Sequence, residues 1–448
     1  MSLSNLFKRL ITGKYVKNTS WLLVERVVQM LVTLYVGIKL AVYMTEEEWG
    51  FYNWALSLVI IFAEMARVGL PNIVVKFLVN KNFSENKIMG SALLMKLLGS
   101  SLAVLFISFL AFLLEPVGSK RFLVLLAAIP YLFKSFDLIT YYFEAHVVSK
   151  YSVIGRLTGI LVNNFLKLLI IIFEWPVEYV YYVFVIDAFI FISILISIYQ
   201  LQGKSILKWH VDKIVMKSLF KASWPLIFTV LITSLYMRID QLMIKELLGD
   251  AANGNYASAV KLSGAWYALP WIITGSVFPA ILNALKKNYE LFVERFIALY
   301  QLLILMALFV IIPVTLFSNE IIAIIYSGKY GDAAAVLQIH IWASIFVFIG
   351  YAGTKWLVAE NLEKLSFVFT FFGAIVNIAL NLVVIPKYGI NGAAWATLLA
   401  QFTTYFLMPA FHAQTRTMFK VQAKALLESF TIYIPIKNIL KLLQNKNA

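Results

Sequence analysis

The chain is 448 residues long, 61% hydrophobic and only 14% charged, whereas soluble domains carry about 25% charged residues. Its mean hydropathy of +0.83 indicates a membrane protein. The chain has no cysteine, which excludes disulfides, thiolate metal ligands and a cysteine nucleophile. The net charge of +15 is spread over short loops between apolar segments, so we interpret it as a determinant of membrane orientation and not as a nucleic-acid site.

Residues 1–18 are predicted to form a cytoplasmic amphipathic arm. They contain no secretory core with a cleavage site. Their apolar and basic residues fall at helical spacing, which predicts a short helix on the membrane surface. The apolar positions are Leu3, Leu6, Phe7, Leu10 and Ile11, and the basic ones are Lys8, Arg9 and Lys14.

Twelve apolar segments follow, each long enough for the roughly 20 residues that a membrane-spanning helix needs. They are 19–44, 50–79, 88–114, 121–144, 151–173, 177–200, 218–247, 253–284, 293–317, 333–359, 362–385 and 390–414. The predicted fold class is therefore an all-α polytopic membrane protein with about 12 transmembrane helices.

We divide these spans into an N-lobe at 19–200 and a C-lobe at 218–414, joined by a cytoplasmic linker at 201–217. Lysine and arginine are concentrated in alternate loops, which places both termini in the cytoplasm under the positive-inside rule. The tail at 415–448 is predicted to be cytoplasmic, interfacial or partly disordered, because Pro435 and several lysines interrupt its apolar stretch.

An internal repeat relates the two lobes. Gly50, Tyr52 and Ala55 share the pattern G-x-Y-x-x-A with residues 254–259, and each copy follows the first helix of its half. A second match has a constant offset of 214 positions; it pairs Ala145, Lys150, Ser152, Gly159, Val162, Asn163 and Leu166 with Ala359, Lys364, Ser366, Gly373, Val376, Asn377 and Leu380. Six spans per half make the repeats parallel, which is typical of alternating-access transporters that bind substrate between two lobes. A channel or a membrane enzyme remains an alternative.

Several stretches resemble the polysaccharide biosynthesis exporters, specifically the Wzx-type O-antigen flippases. They are SWPLIFTVLITSLYMRIDQLMIKELLGDAANGNYASAVKL, LPWIITGSVFPAIL, EEEWGFYNWALSLVIIFAEMARVGLPNIVVKFL and YGINGAAWATLLAQ. The resemblance implies a MATE-like, V-shaped central cleft within the multidrug/oligosaccharidyl-lipid/polysaccharide exporter superfamily. It also implies a bacterial inner-membrane protein that moves a polyprenyl-diphosphate-linked oligosaccharide from the cytoplasmic to the periplasmic leaflet.

Other functions stay open beside this one. The chain also resembles the lipid II flippases, although those carry fourteen spans. A small-molecule or cation antiporter of the same superfamily would favour an acidic cleft, which the basic excess argues against. A membrane glycan polymerase or acyltransferase would need a large polar loop, and every loop here is short. The expected partners are the lipid-linked oligosaccharide, membrane lipids and other glycan-assembly membrane proteins.

Cations within the spans are candidate ligands for the lipid diphosphate, because arginine forks match phosphate oxygens. Arg67, Arg238 and Arg26 are the leading candidates, followed by Lys261 and Lys39. Structural ion pairs or side chains reaching the membrane surface are the alternative for each of them.

Three acids, Glu25, Glu64 and Asp240, are candidates for ion coupling or for charge pairs. Glu64 and Arg67 are three positions apart and share a helix face, so they could neutralise each other. Arg238 and Asp240 point to opposite faces, and Lys261 is the expected partner of Asp240. Protonation or Na⁺ binding at one of the acids would couple transport to an ion gradient.

No catalytic residues, cofactor or metal site are predicted. The chain lacks a phosphate-binding G-x-x-x-x-G-K-[ST] loop, and its four histidines lack metal-ligand spacing. Pro71, Pro225 and Pro279 are hinge candidates, because proline kinks a helix. Asn163 and Asn377 are repeat-related amides for which interhelical hydrogen bonding is the favoured interpretation.

Overall fold

The computed structural model describes residues 14–115, 118–431 and 435, and every regular element in them is a helix. The predicted arm at 1–18 therefore lies largely outside the described residues. The long runs of apolar residues form helices because a helix satisfies its own backbone hydrogen bonds, which lipid cannot do. The all-α prediction is confirmed.

The helices of the first half are α1 (Lys14–Tyr43), α2 (Glu46–Ala66), α3 (Pro71–Asn80), α4 (Glu85–Leu114), α5 (Ser119–Ala128), α6 (Pro130–Phe133), α7 (Ile139–Ala145), α8 (Lys150–Ile172) and α9 (Tyr179–Leu201). Those of the second half are α10 (Lys213–Leu248), α11 (Asp250–Gly264), α12 (Ala268–Lys287), α13 (Tyr289–Leu316), α14 (Ser318–Ile325), α15 (Ala333–His340), α16 (Ala343–Ala359), α17 (Glu363–Phe402), α18 (Met408–Phe411) and α19 (Arg416–Ser429). A π-helical turn at Thr403–Leu407 joins α17 to α18.

The chain forms two compact units. Unit 1 comprises residues 1–44 and 55–234, and unit 2 comprises residues 45–54 and 235–448. The boundary therefore falls inside α10, and the first residues of α2 belong to unit 2. Within unit 1, α8 packs against α1 and α9, and α4 packs against α5. Within unit 2, α13 packs against α12, α16 and α19.

Length and composition make ten described helical segments suitable for crossing a membrane, or eleven if the bent pair α15–α16 counts as one span. The last segment, 363–411, has 49 residues and would be about 74 Å long as a straight helix, far more than a bilayer requires. Gly389 interrupts it with φ 59° and ψ −146°. The two halves of α17 then run back along each other, so that an alanine at Gly373 would touch Thr404. Counting them separately agrees with the twelve predicted spans.

The second predicted span, 50–79, is broken into α2 and α3. Val68 and Gly69 have positive φ values of 52° and 61°, and Pro71 starts α3 because its missing N–H costs nothing at a helix start. A Cβ on Gly69 would lie 2.5 Å from the Ser223 carbonyl oxygen, so the break packs closely against α10. Pro225 and Pro279 lie inside the continuous helices α10 and α12.

The first part of the predicted tail is an ordered helix, α19. Met418, Val421 and Ala425 are buried in the apolar core of unit 2 together with Tyr300 and Trp356. Residues beyond 431 lie outside the described residues apart from Pro435.

Candidate functional site

Asp240 occupies a buried polar cluster inside unit 2. It lies on α10 and only 5% of its surface is exposed. Its Oδ1 accepts a hydrogen bond of 2.5 Å from Asn381 Nδ2. Its Oδ2 accepts one of 2.8 Å from the Tyr256 hydroxyl and one of 2.5 Å from the Thr397 hydroxyl. These three donors offset the cost of burying a carboxylate, which would be severe without them.

The fold brings these donors together from distant parts of the chain. Asn377 and Asn381 are one helical turn apart on the first half of α17, and the Asn381 amide also donates to Asn377 Oδ1 at 3.3 Å. Thr397 comes from the second half of α17, beyond the reversal at Gly389. Tyr256 is the tyrosine of the G-x-Y-x-x-A repeat on α11. Asn381 Oδ1 and Asn377 Nδ2 are buried without a hydrogen-bond partner in the structure.

The predicted pairing of Asp240 with Lys261 is replaced by these uncharged donors. The Lys261 ammonium instead lies 5.0 Å from the centre of the Trp49 ring, within unit 2, and the Lys245 ammonium lies 3.9 Å from that of Trp54. Arg238 is partly buried whereas Asp240 is buried, consistent with the opposite helix faces expected for positions two residues apart.

Glu64 and Arg67 form the predicted pair within unit 1. The Arg67 Nη1 and Glu64 Oε2 atoms are 3.2 Å apart, and the two side chains are 51% and 20% exposed. Because Arg67 is half exposed and lies in the turn directly after α2, its guanidinium can exchange that carboxylate for another anion at small cost.

Glu25 is instead tied to a distant arginine. Arg156 on α8 donates from Nε to Glu25 Oε1 at 2.6 Å and from Nη2 to Glu25 Oε2 at 3.0 Å, a two-pronged pair. Arg26, the neighbour of Glu25, is exposed, and so is Lys39, whose ammonium lies 5.9 Å from the centre of the Tyr35 ring. The five cations predicted as diphosphate ligands are therefore not one cluster within either unit: Arg26, Lys39 and Arg67 belong to unit 1, and Arg238 and Lys261 to unit 2.

Unit 1 contains a second buried charge pair that the sequence does not reveal. Lys96 is 2% exposed and forms an ion pair with Asp137, and its ammonium also lies 3.3 Å from the Tyr141 hydroxyl oxygen. The partners are on α4, on the short 3₁₀ turn Lys134–Leu138, and on α7. The two residues are 41 positions apart, so their spacing in the sequence does not predict the pair. Burial of a lysine does require a partner, because an unpaired charge is costly inside a protein.

The two copies of the G-x-Y-x-x-A repeat meet inside unit 2. A Cβ on Gly50 would lie 1.7 Å from the Asp250 carbonyl oxygen, and one on Gly254 would lie 2.2 Å from the Glu46 carbonyl oxygen. The Asn253 amide donates to the Gly50 carbonyl oxygen at 2.7 Å. The repeated glycines therefore allow the starts of α2 and α11 to cross in backbone contact.

Within the described residues, no three histidine, aspartate or glutamate side chains are arranged to hold a metal ion. The Asp240 cluster contains one carboxylate together with amide and hydroxyl groups. It therefore suits a proton or a monovalent cation with oxygen ligands better than a structural divalent metal.

Comparison with known proteins places these features in a family. The profile described as "Polysaccharide biosynthesis protein" matches residues 15–285, and the profile described as "MatE" matches residues 225–383. The "Probable low-salt glycan biosynthesis flippase Agl15" of Haloferax volcanii is 28% identical over 173 residues, which are 37% of this chain and 35% of that protein. The "Putative O-antigen transporter" of Shigella dysenteriae is 24% identical over 267 residues, 58% of this chain and 62% of that protein. The matched region thus spans less than two thirds of the length of these relatives.

Solved structures share the fold at low sequence identity. The inward closed conformation of the lipid II flippase MurJ has a TM-score of 0.69 at 16% identity, covering 94% of this chain and 95% of that one. An inward-facing multidrug resistance MATE family transporter of the MOP superfamily has a TM-score of 0.65 at 12% identity, covering 88% and 96%. The predicted family resemblance is confirmed: the chain is a multi-pass membrane protein that belongs to the polysaccharide biosynthesis protein family.

Proposed function

We propose that the protein is a flippase that moves a polyprenyl-diphosphate-linked oligosaccharide, an O-antigen or related repeat unit, across the membrane by alternating access. The observation that carries this proposal is the family match over residues 15–285, in a family whose relatives bear the names glycan flippase and O-antigen transporter. The fold shared with MurJ and a MATE transporter supports transport over polymerase or acyltransferase chemistry.

We place the protein in the bacterial cytoplasmic membrane with both termini in the cytoplasm. The excess of lysine and arginine in the loops at 80–87, 146–150, 203–221 and 286–290 supports this orientation. The substrate would then be loaded from the leaflet in which glycan lipids are assembled. Other glycan-assembly membrane proteins are proposed partners at this step.

Arg67 is the leading candidate for binding the substrate diphosphate. Its guanidinium is half exposed and is paired with Glu64, so an incoming phosphate can replace the carboxylate and gain a two-pronged contact. Arg26, Lys39, Arg238 and Lys261 are further candidates in their respective units. Glu25, in contrast, is proposed to hold unit 1 together through Arg156 and not to couple transport.

Asp240 is proposed to bind the coupling ion, and the geometry favours Na⁺ over H⁺. Asn381 Oδ1 has no partner. Turning that amide over would direct its oxygen toward Asp240 and Asn377, which is favourable only when a cation lies between them. Oxygens of Asp240, Asn377, Asn381 and Thr397 would then replace the ion's hydration shell, and one carboxylate matches its single charge.

Transport by purified protein in liposomes tests the proposal. A fluorescent polyprenyl-diphosphate oligosaccharide should change leaflets, and Arg67→Ala should slow this about tenfold or more, the effect of losing about 1.4 kcal/mol of binding. Arg416→Ala, which removes an exposed arginine of α19, is the matched control and should transport normally. Movement of a cationic dye without the glycan lipid would identify an antiporter, and preference for lipid II would identify the other flippase class.

Asp240→Asn tests the coupling ion, because it keeps the size of the side chain and removes its charge. Transport should lose its dependence on a Na⁺ gradient, and Na⁺ binding measured with a radioactive tracer should weaken at least about tenfold, or about 1.4 kcal/mol. Glu246→Gln, at the exposed end of the same helix, should retain both. Unchanged Na⁺ binding by Asp240→Asn would remove Asp240 from this role, and dependence on pH alone would identify a proton.

A further inference from the structure

Unit 2 contains a cavity at the end of the helices opposite to the Asp240 cluster. It is a partly open cavity with about 280 Å³ of atom-free space. Hydroxyl groups dominate its polar lining, and none of the described residues that line it carries a charge. The lining hydroxyls belong to Thr354, Ser366, Thr370, Thr404 and Tyr405.

The position of the cavity follows from its lining. Leu357 and Ser366 flank the turn between α16 and α17, and Pro409 and Met418 flank the turn before α19. Under the orientation proposed above, both turns face the cytoplasm. Asp240 lies eight residues before the opposite end of α10, and Asn381 lies eight residues before the reversal at Gly389.

Polar and small side chains connect the two places along one face of α17. Ser366, Thr370, Gly373, Asn377 and Asn381 follow each other at intervals of three or four residues, so they lie on one helix face. We call this row, with Thr397 and Thr404 of the returning half, the hydroxyl–amide seam. It spans about 22 Å from Ser366 to Asn381 at 1.5 Å per residue.

The seam is buried inside unit 2 from Gly373 to Asn381, and Ser366 and Thr370 are partly buried. Asn377 and Asn381 are 1% and 0% exposed, while Phe371, Ile375 and Leu382 on the other side of the same helix are 41 to 61% exposed. Lipid therefore meets the apolar face, and the polar row faces protein. Burial of so many polar groups requires partners, water or an ion.

Contacts between the helices make the seam continuous at its centre. Thr404 donates to the Tyr236 hydroxyl at 3.3 Å, and Tyr236 is one helical turn before Asp240 on α10. The absence of a side chain at Gly373 lets Thr404 approach, because a Cβ there would lie 1.7 Å from the Thr404 hydroxyl oxygen. Asn377 Nδ2, unpartnered and buried, lies one turn further along.

The backbone is also irregular where the seam enters the cavity. The π-helical turn Thr403–Leu407 carries Thr404 and Tyr405, and such turns leave carbonyl groups outside the regular hydrogen-bond ladder. Non-helical backbone at membrane depth is stable only inside protein or beside water. The turn therefore supplies backbone carbonyl groups that can bind water at this end of the seam.

We propose that the hydroxyl–amide seam is the route by which the coupling cation passes between Asp240 and the cytoplasm, with the cavity as its hydrated vestibule. This inference rests on the proposed coupling role of Asp240. Neutral oxygen ligands suit passage, because they replace water around a monovalent cation without holding it as a buried carboxylate would. The cation then crosses unit 2 on its own path, separate from the cations that are candidates for the lipid diphosphate.

Cysteine accessibility tests the route without requiring transport of any substrate. The natural chain has no cysteine, so each variant has one thiol. Ag⁺ is the probe, because it is a small monovalent cation that binds thiols. Thr370→Cys and Thr404→Cys should react with Ag⁺ added from the cytoplasmic side. Their neighbours at nearly the same depth, Phe371→Cys and Thr403→Cys, should react at least tenfold more slowly.

Equal rates within each pair, or faster reaction of the two neighbours, would overturn the route. Ser366→Cys at the vestibule replaces either seam variant if that variant does not fold. Failure of glycan-lipid transport alone would overturn the proposed function and leave these rates unchanged.

A second measurement separates the route from the binding site. Gly373→Ala forces the Thr404 hydroxyl out of the seam, so it should slow Na⁺-driven transport several-fold while equilibrium Na⁺ binding persists. Gly275→Ala, where a Cβ meets open space, is the control and should leave the rate unchanged. A Gly373→Ala protein with the normal rate would show that the ion takes another path.

Discussion

The buried carboxylates Glu25 and Asp240 differ in the charge of their partners. Glu25 forms a two-pronged ion pair with the positively charged Arg156. Among the described residues, the hydrogen-bond donors to Asp240 are the neutral side chains of Tyr256, Asn381 and Thr397. A carboxylate with a fixed counter-charge has little to gain from a mobile cation, whereas one with neutral donors keeps its full attraction for it. This difference is the residue-scale reason for assigning coupling to Asp240.

Removing one partner of the Glu25–Arg156 pair should therefore destabilise the protein strongly. The two side chains are only 10% and 27% exposed, so Arg156→Met leaves an uncompensated carboxylate in a membrane helix, at a cost of about 3–5 kcal/mol. Thermal unfolding in detergent should show a large decrease in Tm. The double variant Arg156→Met with Glu25→Gln should recover much of it.

The exposed pair of Lys424 and Glu428 on α19 is the comparison for that experiment. Lys424→Met should cost at most about 1 kcal/mol. If Arg156→Met were equally mild, Glu25 would not depend on its arginine, and Glu25 would again be a candidate coupling acid.

Long runs of apolar residues determine where this chain forms helices, whereas glycines determine where α2 and α11 can cross in close contact. Gly50 and Gly254 repeat the same motif and lie where α2 and α11 touch through their backbones. Gly50→Ala and Gly254→Ala should each lower Tm, because the helix starts must separate to admit a methyl group. Gly275→Ala should instead leave Tm unchanged or raise it slightly, since alanine favours a helix by about 1 kcal/mol over glycine. Equal effects of all three would show that the crossing is loose.

The linker before α10 is anchored by Asp212. Its Oδ1 accepts hydrogen bonds from the backbone N–H groups of Ile214 and Val215 at 2.9 and 3.2 Å, and its Oδ2 lies 2.8 Å from the Lys87 ammonium. The hydrogen bond from Lys87, with those backbone N–H groups, holds the pKa of the Asp212 carboxyl below its usual range. The anchoring is therefore complete above about pH 4, the ordinary aspartate pKa, and is lost as the pH falls through the lowered value.

Hydrogen exchange of residues 202–216 measures this anchoring. Protection should be constant from pH 7 to about pH 4, once intrinsic exchange rates are taken into account, and should fall at lower pH. The Asp212→Asn variant has no carboxylate to protonate, so its protection should be lower than that of the wild type and should not change with pH. Equal protection of the wild type and Asp212→Asn at pH 7 would mean that Asp212 does not anchor the linker.

At the scale of the whole molecule, the sequence predicts helices and spans from periodic patterns, but it does not predict contacts between residues that are distant along the chain. The length of each apolar segment predicts a span, and the internal repeat indicates where α2 and α11 begin. A spacing of three residues correctly pairs Glu64 with Arg67. The expected pairing of Asp240 with Lys261 on the next span is wrong, because the donors Asn381 and Thr397 lie 141 and 157 positions away along the chain. Thr397 reaches Asp240 only because the chain reverses at Gly389.

That reversal decides the number of spans and therefore the side of the membrane on which the chain ends. Under the proposed orientation, a straight segment from 363 to 411 would cross once and leave α19 outside, whereas a reversal at Gly389 makes two crossings and leaves α19 in the cytoplasm. Tyr388, 67% exposed beside Gly389, marks the reversal, and the exposed Arg416 marks the start of α19. In the cysteine-free chain, an impermeant thiol reagent added to spheroplasts should label Tyr388→Cys at once and Arg416→Cys only after lysis. Labelling of both or neither before lysis would contradict the reversal, and the opposite pattern would keep twelve spans but invert the orientation, so that the seam would open to the outside.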